Sequence, residues 1–203
     1  MNKKEYLLIY VFSVSAVILF SILLIYRNGY IGINTNEEDR QSHVLMNTLE
    51  MNLSDQWKNI LSDIPANDRD SNFCHYVNSL KKPILVFRFK ETNCHLCVDI
   101  ELNRLRKFVE TNHFECVLLT SYSNTSHLKK ILKMKNCSFN YLNISVDRLS
   151  SWKSEEFENP YYFILHSDGF ASDFLYADKN TPEITDLYLS NINHLFRRIR
   201  DIK

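Results

Sequence analysis

Cys94 and Cys97 stand two residues apart, with His95 and Leu96 between them. That spacing allows two kinds of chemistry. Two cysteines so placed can close a small disulfide ring and exchange it with other thiols, or they can supply two ligands to a tetrahedral metal. Zinc would need two further ligands at suitable spacing. Cys74 and His75 are adjacent, and Cys116 and Cys137 stand alone, so no second ligand pair is evident and redox exchange is the favoured reading.

The position of the pair decides its reactivity. A helix is read from Cys94 to Glu110, with Leu102, Leu105 and Val109 on one stripe and Asn93 as its cap. A sulfur at a helix start meets unsatisfied N–H groups and the positive end of the dipole. Both favour the thiolate, the attacking form of cysteine. Cys94, nearer the end, is expected to attack. Cys97, one turn deeper, is expected to resolve the mixed disulfide. His95 either lowers the Cys94 pKa when protonated or is a solvated bystander.

Several short elements must hold this motif. Ile84–Phe89 reads as a strand directly before it, bounded by Pro83. Phe114–Thr120 is a second strand, Ser126–Lys135 a helix, and Phe139–Val146 a weaker third strand. Tyr161–His166 and Asp173–Ala177 flank Ser167-Asp168-Gly169 and read as a hairpin. A last helix starts with Thr181 as cap and Pro182 at its first position, with Ile184, Leu187, Tyr188, Ile192, Leu195, Phe196 and Ile199 as its stripe. Alternation of strand and helix predicts an α/β fold, a mixed sheet flanked by helices. Cys116 falls within a strand and reads as a core residue. Cys74 and Cys137 are available to pair, but their spacing does not show it.

Ahead of this domain, the run Tyr6–Tyr26 carries no charge. As a helix it would rise roughly 30 Å, the thickness of a hydrocarbon core. Lys3 and Lys4 precede the run and tyrosines cluster at its ends, so it reads as an uncleaved anchor with a cytoplasmic N-terminus. The expected organisation is an anchor over 1–27, a linker with an amphipathic helix over 28–79, and the folded domain over 80–203. In the linker Val44, Leu45, Leu49, Leu53, Trp57, Ile60 and Leu61 recur at helical spacing. They suit a stalk, a partner-binding helix, or packing on the domain. The chain carries 24 basic and 24 acidic residues, so no net field recruits nucleic acid. Its three glycines leave little room for a phosphate-cradling loop.

With these residues in view, the stretch from Leu80 onward resembles the thioredoxin superfamily, in particular the membrane-anchored TlpA/ResA-like thiol–disulfide oxidoreductases. The resemblance is carried by ILVFRF, then CHLC, then Asn159-Pro160 followed by YYFILHSDG. It implies catalysis by Cys94 and Cys97. It also implies a cis-proline at Pro160 facing them, with the peptide of Asn159 and Pro160 binding extended substrate, and no metal or organic cofactor. The implied partners are protein thiols or disulfides and a redox-recycling protein, on the periplasmic side of the membrane. Two departures stand out. The aromatic usual before the first cysteine is Asn93, and the acidic residue that moves protons in thioredoxin itself is replaced by Arg88. Such a residue in an apolar strand needs an acidic partner or an exposed edge; close to the sulfurs it would stabilise a thiolate. A non-catalytic thioredoxin-like binding module is the alternative reading, and a lone-cysteine peroxidase is disfavoured because its Thr-x-x-Cys setting is missing.

The topology expectation is testable in intact cells. A membrane-impermeant maleimide should label Cys94 without lysis; labelling seen only after lysis would place the domain in the cytoplasm.

Overall fold

The computed structural model describes residues 37–62, 72–112 and 114–201. The expected anchor at 6–26 and most of the loop at 65–72 lie outside them. Among the described residues no helix is long and apolar enough to cross a membrane. The chain divides into two units, Met1–Ser42 and His43–Lys203. The sheet and its packing partners belong to the second, which therefore includes much of the segment expected to be a linker.

Helix α1 runs over 37–55, and its residues from His43 onward belong to this second unit. The remaining elements are α2 (Asn72–Ser79), β1 (Ile84–Lys90), α3 (His95–Asn112), β2 (Cys116–Ser121), α4 (Thr125–Met134), β3 (Asn140–Asn143), β4 (Tyr161–Leu165), β5 (Ala171–Tyr176) and α5 (Pro182–Asp201). Two short 3-10 turns, Val146–Leu149 and Lys153–Glu156, precede β4. The sheet order is β3-β2-β1-β4-β5. β1, β2 and β3 run parallel, while β4 is antiparallel to both β1 and β5.

Strand alternation divides the core into two. Leu85, Phe87 and Phe89 face α3, α4 and α5, where Val98, Leu102, Leu105, Leu128, Leu132, Leu189 and Ile192 are buried. Ile84 and Val86 face the other way, toward Trp152, Phe163, Phe174 and the buried residues of α1 and α2. Cys74 belongs to this second cluster and Cys137 to the first, so the sheet separates them and they do not pair. Cys116 is a buried core thiol, as its strand position predicts.

The hairpin turn is built as its residues require. Gly169 has φ +84°, and a Cβ there would come within 3.0 Å of Asn59 Oδ1; Gly169 N donates to His166 O at 3.0 Å. In α5 the buried face is Thr185, Leu189 and Ile192, whereas Leu187 and Leu195 are exposed. Thr181 precedes the helix, but its buried hydroxyl has no partner among the described residues.

The largest departure from the expected pattern is in α1. Val44 and Met51 are buried, but Leu45, Met46, Leu49, Leu53 and Trp57 are more than half exposed. The residues that meet the outer rim of β5 are instead polar. Asn52 brackets edge strand β5, donating to Phe174 O at 2.8 Å and accepting from Phe174 N at 2.9 Å. Thr48 Oγ accepts from Tyr176 N at 3.1 Å. Beyond the helix, Trp57 N donates to Ala171 O and Ala171 N to Lys58 O, at 2.7 and 3.0 Å. A sheet edge is a row of unpaired N–H and C=O groups, so the helix face that seals it carries amides and hydroxyls.

Arg88 has no exposed surface. It alternates with Phe87 and Phe89 and so stands on the sheet face away from the α3 core. Glu155 takes it bidentately, Nε to Oε1 at 2.8 Å and Nη2 to Oε2 at 3.1 Å. Burial alone would raise the Glu155 pKa, but the Arg88 charge and its hydrogen bonds, aided by Lys90 and Tyr161, bring it below the usual carboxylate range. The folded pKa is depressed, so this stabilisation is present above the ordinary carboxylate pKa and is lost as pH falls through the lowered value. Glu155→Gln should cost about 3 kcal/mol by leaving a buried charge unpaired. Arg88→Met with Glu155→Gln should recover much of that loss. Urea midpoints at pH 7 check both.

Candidate functional site

The site is built where β1 stops. Glu91 N donates to Ser121 O at 3.0 Å, and Asn93 N closes a turn on Lys90 O at 3.1 Å. Asn93 is buried, and its side chain does not cap α3 as expected. Its Oδ1 accepts from Lys90 N at 2.5 Å and its Nδ2 donates to Glu158 O at 2.6 Å. It thereby clamps the turn before Cys94 to the segment before Pro160.

The cap of α3 is Cys94. The helix starts at His95, and Val98 N donates to Cys94 O at 3.0 Å. Hydrogen bonding from the Cys97 thiol, then from the backbone N–H groups of Cys97 and Leu96, favours the anionic form of the Cys94 sulfur. These hydrogen bonds, with the Cys97 thiol the largest contribution and the Lys179 ammonium adding to them, hold the Cys94 pKa below the ordinary thiol value. Cys97 goes the other way. Burial first, then its hydrogen bond to Cys94 and the Cys94 charge, push it up to about 12. Both are free thiols, Cys94 partly exposed and Cys97 buried. The two shifts have opposite sign: the thiolate is favoured at the helix start, and the proton is favoured on its neighbour.

Asn159 lies beside Cys97, with Pro160 next in the chain. The Cys97 thiol donates to Asn159 Oδ1 at 3.9 Å, and Pro160 is buried. The cis bond implied by the resemblance is not found: no described residue has a cis peptide, so Asn159–Pro160 is trans. Trans is the lower-energy isomer. Its neighbours are bonded in that form, with Glu158 O accepting from Asn93 and Pro160 O from Ala177 N at 3.0 Å. His95 is exposed. Arg88 is committed to Glu155 on the other sheet face, and the cation acting on both sulfurs is Lys179.

Lys179 is absent from the expectations drawn from sequence. It lies between β5 and α5, and its backbone N–H and its charge both act to lower the Cys97 pKa against burial. Arg88 pairs with Tyr161, and Tyr161 with Tyr176, so the end of β1, the start of β4 and the end of β5 gather at one end of the sheet. That element order was the available signal for placing residues 177–181 beside the cysteines. Tyr176 is there too; burial, then Asp178 and Cys97, push its phenol up to about 12.

No protein-family model and no curated protein matches this chain. Among solved structures it is similar to a secreted Mycobacterium tuberculosis disulfide oxidoreductase described as homologous to E. coli DsbE, with 15% identity, TM-score 0.41, and 54% of this chain and 81% of that one covered. A putative thiol-disulfide oxidoreductase from Bacteroides vulgatus is similar with 15% identity, TM-score 0.41, and coverage of 55% and 74%. A putative thiol:disulfide interchange protein DsbE from Chlorobium tepidum gives 11%, 0.41, and coverage of 55% and 80%. What the two thiols can do is decided by their own surroundings.

Those surroundings make Lys179 a determinant of Cys94 reactivity. Lys179→Met should raise the midpoint of the iodoacetamide alkylation profile of Cys94, slowing alkylation at pH 7 severalfold. Lys179→Arg should restore it, and mass spectrometry of the alkylated site reads the result.

Proposed function

We propose that this chain is a thioredoxin-like thiol–disulfide oxidoreductase that acts on protein disulfides outside the cytoplasm, tethered to the membrane by residues 6–26. One observation carries the chemistry: the partly exposed Cys94 stands at the start of α3, where Val98 N donates to its carbonyl at 3.0 Å, and Cys97 is buried one turn behind it. A stabilised, accessible thiolate beside a protonated, sequestered thiol is the pairing that disulfide exchange requires. The tether rests on the charge-free run and the lysines before it.

In the forward direction the Cys94 thiolate attacks one sulfur of a substrate disulfide. The S–S bond breaks, one substrate sulfur leaves as a thiolate, and a mixed disulfide forms on Cys94. Cys97 then loses its proton and attacks the Cys94 sulfur, releasing the second substrate thiol. The pair ends as a Cys94–Cys97 disulfide, having given two electrons to the substrate. A protein dithiol must return them before the next cycle; run backwards, the same steps oxidise a substrate. Lys179 favours the Cys94 thiolate, and an extended substrate would lie along Asn159, which contacts Cys97, and Pro160 after it.

The non-catalytic binding module remains the second reading, favoured by the trans Pro160, which departs from the catalytic family. Two variants separate them. Cys97→Ser should accumulate substrate mixed disulfides on Cys94, seen as slow-migrating bands on non-reducing gels and lost on reduction. Cys94→Ser should accumulate none and should lose reductase activity. A Cys97→Ser protein that retains its partner without any covalent adduct would leave the binding module standing.

A further inference from the structure

The Cys97 proton has two acceptors in this structure: the Cys94 sulfur, and Asn159 Oδ1 at 3.9 Å. They do not compete on constant terms. While Cys94 is an anion it is the stronger acceptor, because hydrogen bonds to charged groups are the strong ones. When Cys94 is bonded to a substrate sulfur it has no charge, and the amide oxygen is the better acceptor of the two.

We infer that Asn159 is a positioning residue for the resolving thiol, whose amide oxygen takes the Cys97 S–H once Cys94 is occupied and so sets the lifetime of the mixed disulfide. The inference rests on the exchange reading of Cys94 and Cys97. A bound proton disables Cys97, since only the thiolate attacks. Holding S–H on Asn159 therefore delays resolution, and an incoming peptide that takes the amide for itself ends the delay.

The amide is held where this role needs it. On one side Glu158 O is fixed by the buried Asn93 at 2.6 Å; on the other, Pro160 O accepts from Ala177 N at 3.0 Å. The proline ring restricts its own φ as well. Asn93 also precedes Cys94 in the chain and bonds Lys90 N at 2.5 Å, so one side chain ties both sulfurs and their acceptor into a single frame. An amide suits the position because it accepts without carrying charge at any physiological pH. A carboxylate there would oppose the Cys97 thiolate outright.

The full chain, reduced and mixed with 5,5′-dithiobis(2-nitrobenzoate), separates the two steps. In the first, Cys94 attacks the reagent disulfide and releases one thionitrobenzoate. In the second, Cys97 attacks the Cys94 sulfur, releases the other thionitrobenzoate and leaves the Cys94–Cys97 disulfide, so two electrons pass from the pair to one reagent molecule. Cys97→Ser assigns the first phase and Cys94→Ser should lack both. Asn159→Ala should speed the second phase relative to the first by roughly threefold, the worth of a weak hydrogen bond, with its pH profile moved down. Asn159→Asp should slow the second phase and move the profile up, while Asn159→Gln should stay near wild type. General disruption would instead expose the buried Cys74, Cys116 and Cys137, giving extra release. Identical second phases in the Ala and Asp variants, or a slower one in Asn159→Ala, would overturn the inference. A wild-type protein with no second phase would reject the exchange reading itself.

Discussion

A guanidinium with no exposed surface sits in the central strand of this sheet, and its neutralisation organises the face of the molecule opposite α3. Arg88 needs an anion, and Glu155 supplies it from a 3-10 turn far along the chain. Tyr161 adds a hydrogen bond to the same carboxylate at 2.8 Å, and Lys90 Nζ donates to the Glu155 carbonyl at 2.6 Å. The turn is fixed from its other side by Asp55, which has no exposed surface and accepts from Lys153 N and Ser154 N at 2.9 and 2.7 Å. One buried charge thus links the end of α1, the turn before β4 and the last residues of β1, where the cysteine turn begins. A buried pair of this kind is weak evidence for net stability; what it supplies here is register.

Charge is handled differently on the α3 face. The two thiols lie in one turn, yet the sulfur at the helix start is lowered and the one behind it raised. The Cys97 thiol first, then backbone donors and the Lys179 cation, act on the first sulfur; burial acts foremost on the second. One turn further on, Glu101 is buried and accepts from the Tyr162 hydroxyl at 3.0 Å, and its Oε1 has no partner among the described residues. Burial raises its pKa against the opposing pull of Arg104. A folded pKa above the unfolded one means this carboxyl costs stability above the ordinary carboxylate range and ceases to do so as pH falls. The helix that carries the thiols therefore has an unfavourable group in its core, opposite in sign to Glu155 across the sheet.

The edge strand shows why most of the apolar row of α1 does not meet the sheet. Periodicity finds the side of a helix that avoids water, on the premise that its partner is an apolar surface. The partner here is the hydrogen-bonding rim of β5, and the side chains that satisfy it are Thr48 and Asn52. The apolar row Leu45, Leu49, Leu53 and Trp57 is left outward, with Leu53 79% exposed.

By itself the sequence determined what short-range rules can reach: the strand of Ile84–Phe89 followed by cysteines at a helix start, the hairpin around Ser167-Asp168-Gly169, and the opening of α5 at Thr181-Pro182. Each depends on neighbours within a few residues, through capping, turn conformation or periodicity. The need of Arg88 for an acidic partner was legible in the same way, as a charge in an apolar strand. That the partner is Glu155, that Lys179 and Asn159 reach the sulfurs, that Asn93 turns from helix cap to clamp, and that Cys74 and Cys137 stand on opposite sheet faces were decided by tertiary structure. So was the trans state of Pro160. These depend on which distant segments the sheet order brings to one end, and on which buried polar groups remain to be satisfied once they meet.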